Sequence, residues 1–385
     1  MPSRVYMGVD ARRDHSFRIP RPDRTLTLGV PNACGQCHDK QGAQWAADAV
    51  RAWYPAPAAG FQDFAEGFRQ AEVDAPGAME TLLAIVRDEH RSPWVRASAL
   101  RRLGPLHRAD ASHRDAVLNA VTSQLNASDD TLRWAAVAAL GDFSTQERAT
   151  HLAPRLQDER RLVRIEAARL LAGEAETLLS ESDRASFSGA LNELLAAEAF
   201  NADRPEAQTR LGDLHSARGQ GEIAEKSYRR AIEIDPAHLP ASVNLAQLLE
   251  RRGQAGAALA VLREALAVNA GSAEIEHALG LALIRGQQYG EALEHLARAA
   301  AINPSAARFV YVHLVATHDV AGVRATLEPL RAALETHPRN AQLLELGVVY
   351  FAEAGERAAA LRAMKSLAEV QPRRAAEIAA TLRLE

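Results

Sequence analysis

From residue 205 onward, apolar and small residues return with a period of 34. Pro304, Pro338 and Pro372 mark it, Pro236 falls in the same phase, and Ala270 stands at the place between Pro236 and Pro304. Ala224, Ala258, Ala292 and Ala360 share a second phase, where a small side chain lets two helices approach closely. Gly219, Gly253 and Gly355 share a third and read as tight turns between helices. The pattern predicts two amphipathic helices per period and five periods over 205–374, followed by a short polar capping segment, 375–385. The fourth period departs from the rest. Thr326 replaces the small alanine, and Pro329 predicts an interruption of its second helix.

A looser repeat precedes these units. Residues 95–104, 132–141 and 163–172 align, with Arg96, Arg133 and Arg164 at one common place, 37 and 31 residues apart. Each segment reads as the second helix of a pair, and the arginines as structural residues that bond neighbouring turns. Residues 78–175 resemble HEAT repeats. The later units, with Leu211-Gly212, Tyr228 and Ala231 in the first, resemble tetratricopeptide (TPR) repeats, and 176–204 reads as a connecting helix. The expected fold is all-α: an irregular arm, 1–57, followed by an α-solenoid of HEAT-like and then TPR helix pairs. On TPR geometry the first helices line a groove, which is expected to present Thr209, Asp213, Val243, Gln247, His277, Leu281, Tyr311 and Val315. This lining becomes more apolar toward the fourth unit, so the expected partner is a largely apolar segment of another protein. Asn244 occupies one place used by carboxylate-clamping TPR domains, without the lysine that accompanies it there.

Composition agrees with helices. Of 385 residues 47% are apolar, 24% charged and only 5% aromatic. A formal charge of -4 gives no reason to expect nucleic acid or an anionic membrane as partner. No apolar run reaches the roughly 18 residues of a membrane span, and the first residues lack the apolar core of a secretory signal. Neither a Ser/His/Asp grouping, a phosphate loop nor an H-E-x-x-H motif offers catalytic chemistry.

The chemistry gathers in one stretch, Pro31-Asn32-Ala33-Cys34-Gly35-Gln36-Cys37-His38, which holds both cysteines of the chain. The spacing is C-x-x-C-H. Two thiols three residues apart on one turn can each form a thioether to a haem vinyl group, and the adjacent imidazole can take the iron, so Cys34 and Cys37 read as anchors and His38 as proximal ligand. Three other readings stay open. Zinc would need a fourth ligand from a second spaced pair, a redox dithiol would need a βαβ setting, and a disulfide across two residues would close only a small loop. Residues 1–30 carry six arginines (Arg4, Arg12, Arg13, Arg18, Arg21, Arg24) against three aspartates. Such guanidinium groups suit haem propionates, or form a solvated basic tail. His15, beside Asp14, is either a second axial ligand or a solvated loop residue.

Residues 6–23 with Asp14-His15-Ser16-Phe17 at their centre, then Leu28-Gly29-Val30-Pro31-Asn32-Ala33-Cys34 and on to His38, and Gln44-Trp45-Ala46, resemble bacterial multihaem c-type cytochromes. More narrowly, they resemble the end of a cytochrome c554-like, doubled C-x-x-C-H domain in proteins that continue into HEAT and TPR repeats. The resemblance implies one covalent haem c on Cys34, Cys37 and His38, and His15 as an axial ligand of this or a neighbouring haem. It implies an electron-transfer role rather than an enzyme acting alone, with another electron-transfer subunit as the expected groove partner. It also implies that Met1 is not the natural beginning, since such proteins carry a further C-x-x-C-H immediately upstream. The expected location is periplasmic or otherwise extracytoplasmic, where c-type haem is attached. The alternative is a pure HEAT/TPR scaffold whose C-x-x-C-H is unused or binds a metal.

Overall fold

The computed structural model describes residues 3–6, 10–13, 20–55, 62–73, 75, 77–109 and 113–382. Packing divides the chain into two compact units, Met1–Arg102 and Leu103–Glu385.

The first unit is more regular at its start than an irregular arm. Strands Ser3–Tyr6 and Asp10–Arg13 pair antiparallel, with Arg4 opposite Arg12 and Val5 opposite Ala11. A helix then spans Pro22–Leu28. Pro22 sits at its first position, where the fixed φ suits a helix and the missing N–H is not needed. Gly29, at φ 70°, ends it by donating its N–H to Thr25 O. Beyond the cysteine turn come helices Gly42–Trp53, Ala65–Glu72 and Ala78–Arg87. The core of this unit is aliphatic, with Leu82, Val86, Ala99 and Leu100 fully buried. Arg96 donates through Nε to Val86 O at 2.9 Å, tying its helix to the preceding one.

In the second unit the looser repeats continue as helices Arg114–Ser123 and Asp130–Ala139, then Thr145–Leu152 and Arg161–Leu171. Arg133 bonds the carbonyls of Ala127 and Ser128 and holds the buried Asp158 carboxylate with two nitrogens, at 2.9 and 3.1 Å. Arg164 repeats the motif one pair later, on the carbonyls of Asp158 and Glu159 and the carboxylate of Glu193. Burial disfavours charge on Asp158, yet the Arg133 fork and the Arg160 N–H hold its carboxyl below the usual range. A long helix, Glu181–Phe200, leads to the strict repeats.

Five helix pairs follow with the predicted period. They are Pro205–Ala217 with Gly221–Ile234, Leu239–Arg251 with Ala255–Val268, and Ala273–Arg285 with Tyr289–Ile302. Ala307–Ala321 with Val323–Thr336 and Ala341–Glu353 with Arg357–Val370 complete the set. The two helices of a pair touch closely. A Cβ placed on Gly212 would lie 2.4 Å from Tyr228 Cε1. Gly219, Gly253 and Gly355 turn between helices at φ 73–79°, and Gln287 does so at φ 58° without being glycine.

The expected break at Pro329 is absent. The helix Val323–Thr336 runs through it, because Leu330 and Ala333 directly beyond are buried and their packing offsets the one lost backbone bond. The irregularity lies one element earlier, where the first helix of the fourth unit is 15 residues long rather than 13 and Gly322 makes the turn. Buried Thr326 turns its hydroxyl onto Val323 O at 2.6 Å, which accommodates a polar group at the alanine place. The capping segment is a helix, Pro372–Leu382, that buries Ala375 and Ile378 against the fifth unit. One buried cluster joins the first three units and another the fourth and fifth.

Candidate functional site

Cys34 begins a single 3-10 turn, Cys34–Gln36, closed by the N–H groups of Cys37 and His38, which both donate to Cys34 O at 3.2 and 2.9 Å. Both thiols are free, Cys34 half-buried and Cys37 exposed. Asn32 secures the turn from below. Its Oδ1 accepts from Gly35 N at 3.0 Å and its Nδ2 donates to Thr25 Oγ1 at 2.7 Å, linking the turn to the helix Pro22–Leu28. Sequence reading assigned Asn32 no role; an asparagine three residues before a glycine, at the start of a turn, was the available signal.

On the far side stands Trp45, whose ring lies 4.8 Å from that of His38, tilted by 43°. The helix Gly42–Trp53 buries Ala46 and Ala47 and packs on the helix Pro22–Leu28. Its tryptophans face outward, Trp45 at 38% exposure and Trp53 at 69%. The small alanines allow the close approach to the helix Pro22–Leu28.

Of the arginines whose side chains are described, Arg21 holds Asp23 at 2.7 Å and Arg24 holds Glu66. Arg18 and His15, the expected second axial ligand, lie outside the described residues.

The cysteine turn offers two thiols and one imidazole as donors. A tetrahedral zinc site needs its donors to converge on one point, and among the described residues no group of three or more His, Cys, Asp and Glu side chains is placed to do so. Thioether anchoring asks for less: two accessible thiols on one turn and an imidazole free to point away from them. Cys34, Cys37 and exposed His38 are the residues that could hold such a group.

In the later repeats the first helices of units one, two and three pack on one another in turn, as do those of four and five. Leu281, Tyr311 and Val315 are half-buried, and Val349 of the fifth unit is exposed. Not every predicted groove position is open. His277 is 6% exposed, its ring 4.7 Å from that of Phe309, and burial pushes its pKa down to about 4, with Arg308 adding to the effect. Thr209 is also buried, with its hydroxyl on Pro205 O and 3.0 Å from His238 Nε2. The signal missed was Phe309, which closes over His277 from the next repeat. Asn244 donates to Asp213 Oδ1 at 2.8 Å, and Tyr228 donates to the same oxygen. A terminal carboxylate arriving there would meet the Asp213 charge.

Residues 79–172 match the family model for HEAT repeats, and residues 205–238 match the model for the tetratricopeptide repeat. The chain carries both HEAT and TPR repeats. No curated protein matches it. Among solved structures it is similar to MamA, at 20% identity over 43% of this chain and 96% of that one, with a TM-score of 0.37. YrrB, described as a TPR protein with an unusual peptide-binding site, aligns at 20% identity over 46% and 92%, with a TM-score of 0.36. PilF of Pseudomonas aeruginosa aligns at 22% identity over 43% and 75%, with a TM-score of 0.38. The cysteine turn lies outside both family matches. No helix among the described residues is long and apolar enough to cross a membrane.

Proposed function

We propose that the chain is a protein-docking scaffold whose TPR face takes a largely apolar segment of a partner protein. The observation that carries this reading is the row of incompletely covered apolar side chains on successive first helices, Leu281, Tyr311, Val315 and Val349. Stacked helix pairs hold such a row rigid, and side chains at this spacing accept alternate apolar residues of an extended segment or one face of a helix. Glutamate at both Leu281 and Tyr311 should abolish binding of the partner while leaving helix content unchanged. Undiminished binding by that variant would refute the reading.

A second reading joins the first: the scaffold carries haem c on Cys34, Cys37 and His38, and the docked partner is an electron-transfer subunit. It is supported by two free thiols and an open imidazole on one secured turn. When bound, the haem supplies a one-electron iron couple. The chain's own residues anchor it, orient the imidazole and leave one edge of the turn accessible. This reading places the protein outside the cytoplasm, with His15 as the candidate second ligand. After export in a host with haem-attachment machinery, the denatured chain should keep one haem, and the variant with serine at Cys34 and Cys37 none. A wild-type chain that loses all haem on denaturation would leave the scaffold alone.

A further inference from the structure

We propose that Trp45 is a positioning residue for His38, fixing the plane of its imidazole. The inference rests on the haem reading of the cysteine turn and concerns what prepares that turn. His38 is exposed, and its ring makes no hydrogen bond among the described residues. Its backbone is held at both ends, by its N–H to Cys34 O at 2.9 Å and by its carbonyl, which accepts from Gln41 N at 3.1 Å. Those bonds fix where the side chain starts but not how the ring turns. The Trp45 indole supplies the missing constraint, since a tilted pair 4.8 Å apart lies within the attractive range for aromatic rings.

Trp45 comes from a rigid element. Ala46 and Ala47, the next two residues, are buried where the helix Gly42–Trp53 packs on the helix Pro22–Leu28. Asn32 ties that second helix to the cysteine turn through Thr25. The imidazole, the turn and the indole are therefore referred to one frame before any ligand arrives. Such preorganisation decides how uniformly a ligand is held. Trp45 also screens one side of the ring from water, and water near an iron site favours its more charged, oxidised form. Trp53, two turns further along the helix and 69% exposed, has the same chemistry without the contact and serves as an internal control.

The test uses the full chain in two preparations with Trp45→Ala, Trp45→Phe and Trp53→Ala. In the haem-free chain, the His38 Cε1 proton should be shifted by the indole ring current and move toward its ordinary position in Trp45→Ala. In the exported, haem-loaded chain, Trp45→Ala should broaden the ferric EPR signal and move the midpoint potential negative. Trp45→Phe should restore most of both effects, and Trp53→Ala should change neither. An unmoved His38 proton, or an unchanged EPR signal in Trp45→Ala with haem bound, overturns the proposal alone. A wild-type chain without covalent haem overturns the haem reading and this inference with it.

Discussion

Replacing His277 by leucine should stabilise the joint between the third and fourth TPR units. The ring is 6% exposed, and neither nitrogen finds a hydrogen-bond partner among the described residues. Each buried polar group left unpaired costs about 1–3 kcal/mol, while the ring contact with Phe309 contributes about 0.5–1.5 kcal/mol that leucine would lose. With both nitrogens unpaired, the net gain at neutral pH is about 0.5–5.5 kcal/mol. Acidity adds a second signature. The folded pKa, about 4, lies below the unfolded value of 6.5, so the unfolded chain takes up the proton first as pH falls. Stability from this group is intact above 6.5, declines between 6.5 and about 4, and is flat below, a total of about 3 kcal/mol. Leucine removes that slope. Hydrogen exchange in the helices Ala273–Arg285 and Ala307–Ala321 reads both effects, because repeat arrays open locally. At about pH 5 the advantage of the variant should grow by about 2 kcal/mol over its value at neutral pH. A variant that exchanges faster than wild type at neutral pH, or keeps the wild-type pH slope, would refute the reasoning.

Further outcomes follow from single contacts. Arg133→Met should cost about 3–5 kcal/mol in urea denaturation, since Asp158, with only 4% of its side chain exposed, is left without its guanidinium. The folded Asp158 pKa is depressed, so that loss should shrink as pH falls below the ordinary aspartate value of 3.8. Gln287→Gly should raise stability by about 1 kcal/mol, because φ 58° is strained for a side-chain-bearing residue; a lower thermal midpoint would contradict this. Gly212→Ala should lower stability by about 1–3 kcal/mol, as its methyl would press 2.4 Å from the Tyr228 ring; the doubled variant with Tyr228→Leu should recover part of the loss.

The helical repeats were legible because their signals are local and periodic: Pro304, Pro338 and Pro372 fix the phase, and Ala224, Ala258 and Ala292 mark the helix contacts, all three fully buried. Arg133 and Arg164 were equally plain, since one residue type recurs after each turn. Where the reading failed, the deciding contact came from elsewhere in the chain. Pro329 weakens a helix locally, but the burial of Leu330 and Ala333 overrides it. His277 occupies a groove phase, yet Phe309 of the next repeat covers it. Cys34, Cys37 and His38 were singled out by spacing alone; the contacts of that turn with Asn32 and Trp45 needed the fold.

The docking face is tested most directly by comparing two double variants of the full chain against the partner that wild type binds in native extracts. One variant carries glutamate at Leu281 and Tyr311 on first helices, and the other at Val268 and Ile302, exposed residues of second helices. The account predicts that the first variant loses the partner and the second keeps it, with equal helix content in both. Retention by the first variant, or equal loss in both, would contradict it.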